Sequence, residues 1–181
     1  MLILFFFTGS FAQPLKKDSR TTQTKIADLL AQIPTGNLVH QDKLMLELEG
    51  IGEEGIAELT GMLTAPGKGN DVAVRFTIGS FTNFVNRKGQ ENYRMSTSAA
   101  YCKALDKAGD NDIKAFLITQ LQFAGKDESV PYLEKYLTDR WLSDPSSRAL
   151  VTIGTPDAQT ALLNALPKAE GPQLISIVMA L

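Results

Sequence analysis

The chain has 181 residues, 44% of them hydrophobic, with 18 Lys and Arg against 20 Asp and Glu and a formal charge of −2. A chain of this size buries one ordinary core, and its scattered, mildly acidic charge lacks the basic face that nucleic acid requires. A single Cys and a single His exclude an intrachain disulfide and the usual zinc ligand sets, so no metal and no cofactor are expected.

Residues 1–12 differ from the rest. The run Leu2-Ile3-Leu4-Phe5-Phe6-Phe7 is too short to cross a bilayer and leads into Ser10-Phe11-Ala12-Gln13. The small-x-small pattern predicts a secretory signal peptide cut before Gln13, although no Lys or Arg precedes the apolar run. An exported protein without a stable membrane anchor is the expectation, with 13–19 as a linker.

From residue 20 onward the pattern is helix after helix. Ile26, Leu29, Leu30 and Ile33 keep helical spacing before the Pro34–Asn37 break. A second helix is predicted over 39–49, with Leu44, Leu48 and Ile51 on one side, and a third opens at Gly52-Glu53-Glu54. Residues 64–70 are a loop. Over 71–85 the alternation of Val72, Val74, Phe76 and Ile78 suits a strand, whereas Ala73, Phe76, Phe81, Phe84 and Val85 suit a helix. The helical context on both sides decides for helix. Another helix is predicted over 90–108. It carries Cys102 among Ala99, Ala100, Ala104 and Leu105, where a thiol acts as a small buried group.

The last third is the most regular. Asp110 is placed to cap a helix bearing Ile113, Phe116, Leu117, Leu121 and Ala124. Asp144-Pro145 and Thr155-Pro156 each read as a cap followed by Pro at the first helical position. Gly125 and Gly154 are expected to close the preceding helices in the left-handed conformation. These two glycines lie 29 positions apart, and at that offset Leu133 aligns with Leu162 and Leu137 with Leu166. A period of this length with helical spacing predicts an all-α fold, an α-solenoid of antiparallel helix pairs.

The stretch from Ser147 to Leu166, with Ala149, Leu150, Gly154, Pro156, Ala158 and Leu162 in register, resembles the short bacterial form of HEAT repeats. The resemblance is regular over 109–181 and looser, with longer loops, over 20–108. Ala149-Leu150 recurs as Ala180-Leu181, 31 positions on, so the last helix reads as the opening of a further repeat and the chain is expected to continue. The fold that this implies serves many unrelated functions.

Few residues suggest chemistry. His40 reads as a polar residue at a helix start, without a nucleophile or an orienting partner. Glu53-Glu54 and Asp110-Asn111-Asp112 sit where helix N-termini favour negative charge, and Gly67-Lys68-Gly69 lacks the spacing of a phosphate loop. Tyr132, Tyr136 and Trp141 are the binding candidates, since grouped aromatics can stack on a sugar or anchor a peptide. Their structural alternative is to fill the junction between two repeats, with Trp141 covering the turn after Leu137. At the repeat offset Tyr132 and Tyr136 become Ala161 and Ala165, so these positions read as other than obligatory core.

The first functional expectation is a non-catalytic interaction or scaffold module, with a protein partner or an adjacent domain of the same polypeptide on its surface. The second follows from a further resemblance. The run from Thr21 to Gln32, the Gly52–Gly55 segment, Pro66–Asn70 and Tyr101–Leu105 are similar to the HEAT-repeat front half of exported bacterial proteins that end in a 3-keto-disaccharide-hydrolase-like domain. It implies that carbohydrate chemistry belongs to a domain outside these residues, with no catalytic residue on this chain. A HEAT-like DNA glycosylase is disfavoured by the negative charge and the export signal.

Overall fold

In the computed structural model residues 18–181 are described, and the signal-peptide reading and most of the 13–19 linker fall outside them. The described chain is all-helical, with ten α-helices and no strand. In chain order these are α1 (Thr22–Leu30), α2 (Leu38–Ile51), α3 (Glu53–Gly61), α4 (Val72–Val85) and α5 (Glu91–Lys107). They are followed by α6 (Asn111–Ala124), α7 (Val130–Leu133), α8 (Ser143–Ile153), α9 (Pro156–Ala165) and α10 (Gly171–Ala180).

Several helix starts follow directly from local chemistry. The Thr21 hydroxyl accepts from the Thr24 N–H, Asn37 accepts from Val39 and His40, and Asp110 accepts from Asp112 and Ile113. Thr155 accepts from Ala158, with Pro156 at the first helical position, as its sequence predicts. Asp71 works differently. Its Oδ2 accepts from the Thr64 N–H at 3.0 Å and from Arg75 Nε at 2.9 Å, while Arg75 Nη2 donates to the Thr64 carbonyl at 3.2 Å. The two ends of the 64–70 loop are thereby tied together.

The strand-like alternation over 72–78 resolves into α4. Val74 and Ile78 are buried while Val72 and Phe76 are exposed, a spacing of four rather than two. The buried set of this helix, which includes Phe81, Phe84 and Val85, spreads too widely for one stripe, because α4 meets neighbours on more than one side.

Packing follows a regular scheme. Each even-numbered helix contacts the next even one: α2 with α4, α4 with α6, α6 with α8, and α8 with α10. The odd-numbered helices do the same, α1 with α3, α3 with α5, α5 with α7, and α7 with α9. Between the two sets lies a continuous apolar core that includes Leu29, Leu48, Leu59, Ile78, Leu105, Leu121, Leu133, Leu150 and Leu162. A buried polar contact crosses it. Thr82 Oγ1 lies 2.9 Å from both the Ile78 carbonyl and Gln120 Oε1, and 3.0 Å from the Tyr101 hydroxyl.

Two local expectations are corrected. Gly125 is extended rather than left-handed, with φ −73° and ψ 155°. Its need for glycine is one of space, since a Cβ there would lie 2.3 Å from Ser129 Oγ and 2.5 Å from the Leu121 carbonyl oxygen. Gly154 does adopt the left-handed conformation, at φ 64°. Asp144 does not cap α8, which begins one residue earlier at Ser143. The preceding turn is held by Asp139, whose Oδ1 accepts from the N–H groups of Trp141 and Leu142 at 2.7 and 2.9 Å. Asp144 instead pairs with Arg148 one turn on, at 2.8 Å. Finally, α7 is shorter than α9, the helix it aligns with, and is continued on both sides by 3-10 turns over Asp127–Ser129 and Glu134–Tyr136. The bulky Tyr132 and Tyr136 accompany these tightened turns where α9 carries Ala161 and Ala165.

Candidate functional site

The three aromatic candidates occupy different surroundings. Tyr132, on α7, and Tyr136, in the turn that follows, are half-buried and pack against the core. Lys135 Nζ stands 4.7 Å from the centroid of the Tyr132 ring, and Lys114 Nζ stands 5.4 Å from that of Tyr136. Burial raises the pKa of Tyr136 above the ordinary tyrosine value, with the charge of Asp106 adding to it, so its hydroxyl stays protonated at neutral pH. Trp141, expected to cover the turn after Leu137, is 68% exposed, with the Arg140 guanidinium 5.4 Å from its ring. Ala161 and Ala165, which align with the two tyrosines and read in the sequence as other than obligatory core, are buried members of the core.

None of the three aromatics lines the larger clefts of the surface. One such cleft, of about 520 Å³, runs between α8 and α10 and reaches Gln122 on α6. Its apolar lining comes from Val151, Ile175 and Met179, each of them exposed, and Met179 is 84% so. Its polar side is internally satisfied: Gln122 Nε2 donates to Thr152 Oγ1 at 2.9 Å, Ser176 donates to the Pro172 carbonyl at 3.1 Å, and Asp144 pairs with Arg148. Exposed apolar side chains beside satisfied polar groups can bury area against another surface. The periodicity of α10 was visible in the sequence, whereas its pairing with α8 to form a groove required the fold.

Cys102 and the Arg94–Glu128 pair have structural explanations. Cys102 is buried on α5, and burial, with the nearby charges of Glu128 and Asp106, pushes its thiol up to about 12, away from nucleophilic reactivity. Arg94 donates to the last carbonyl of α6, that of Ala124, and pairs with Glu128 at 2.8 Å. Burial works against the Glu128 carboxylate, yet its hydrogen bonds from Arg94 and the backbone hold its pKa below the ordinary glutamate value. His40 sits in the first turn of α2, and its N–H donates to Asn37 Oδ1 at 3.2 Å. No group of three or more His, Cys, Asp or Glu able to hold a metal ion occurs among the described residues. No helix among them is long and apolar enough to cross a membrane.

Neither a protein-family model nor a curated protein matches the chain.

Proposed function

We propose that this chain is a non-catalytic interaction module, an α-solenoid of HEAT-like repeats that belongs to an exported protein. The observation that carries this reading is the packing scheme, in which each helix contacts the next helix but one from α1 to α10. A stack built this way buries each apolar face against near neighbours and leaves extended surfaces free for partners. The α8–α10 cleft supplies one such surface, with Val151, Ile175 and Met179 as apolar anchors for a protein partner or an adjacent domain. Export rests on the Leu2–Ala12 segment and its small-x-small pattern.

The test is capture of partners from the non-cytoplasmic fraction of the source cells by the wild-type chain and by a Val151→Glu, Ile175→Glu variant. Both positions are exposed, so the variant should fold and melt like the wild type. Loss of a captured protein in the variant alone supports the reading. Capture that does not depend on these residues, or a native product confined to the cytoplasm, argues against it. A native product several times heavier than 181 residues, bearing glycoside-directed activity, favours the carbohydrate-active reading of the parent protein.

A further inference from the structure

We draw no further inference here: the strongest candidate, the apolar surface patch of α10 on which Leu174, Val178 and the following Leu181 are exposed, is an unpartnered face, and nothing in the structure shows what covers it.

Discussion

The hydroxyls of Thr82 on α4 and Tyr101 on α5 meet at 3.0 Å in the buried centre of the molecule, and Gln120 of α6 joins the same Thr82 oxygen at 2.9 Å. Three helices thus meet at one buried atom. Tyr101 is almost fully buried, and burial raises its pKa above the ordinary tyrosine value despite the hydrogen bond with Thr82. Thr82→Val removes the shared oxygen, leaving Gln120 Oε1 without this donor and the Tyr101 hydroxyl with only the Ile78 carbonyl at 3.4 Å, at a cost of about 1–3 kcal/mol, while Tyr101→Phe costs about 0.5–1.5 kcal/mol. The double variant should cost less than the sum of the two. Urea unfolding of the four proteins checks this, and strict additivity would mean that the contact carries no coupling.

Gly125 and Gly154 lie 29 positions apart, each at the end of a helix, and need glycine for different reasons. An alanine at Gly125 meets the Leu121 carbonyl, which is backbone and cannot step aside, so Gly125→Ala should unfold at clearly lower temperature than wild type. Gly154→Ala meets ordinary contacts and suffers only the left-handed φ, about 1–2 kcal/mol. Thermal melts should rank Gly125→Ala as the more damaging. The reverse order would mean that Gly125 relaxes in a way the close contacts do not allow.

Leu133 and Leu162, which align at the 29-residue offset, are both buried. Truncating either to alanine should cost about 2–5 kcal/mol, the range for buried leucines. Chemical denaturation measures it directly. An unchanged midpoint at either position would contradict the repeat register.

The thiol of Cys102, pushed by burial from 9.0 up to about 12, links folding to alkaline pH. Between those values the unfolded chain has released this proton and the folded chain retains it. The contribution is therefore present in full below pH 9 and is lost as pH rises through the window, by at most about 1.4 kcal/mol per pH unit. Wild type should lose more stability than Cys102→Ala between pH 8.5 and pH 10.5, roughly in proportion to that slope. At pH 8 the native thiol should resist a thiol reagent that reacts readily in urea. Prompt reaction of the native protein would place Cys102 outside the core.

Much of the helical layout was legible in the sequence because its signals are local. Asn37, Asp110 and Thr155 announce helix starts by what their own side chains can reach within three residues. Gly154 announces a stop in the same way. Asp144 misled because Asp-Pro is an equally good start signal wherever it falls, and the earlier Asp139 captured the turn first. Contacts between distant segments left no such trace. Thr82, Tyr101 and Gln120 are separated by 19 residues each, and nothing near any of them marks it as part of a buried polar contact. The aromatic candidates show the same limit. Composition could group Tyr132, Tyr136 and Trp141, but the turn around Asp139 sends Trp141 outward while the tyrosines stay against the core.

The central claim is that the helices stack in sequence, each on the next but one. A nitroxide attached at Arg148→Cys on α8, in a Cys102→Ser background, tests it most directly by NMR. Helices pack about 8–10 Å apart, so the label should broaden signals of α6 and α10 strongly and leave α1 and α2 untouched. Strong broadening in α1 or α2 would mean that the chain closes back on itself, and the stacked scaffold would be wrong.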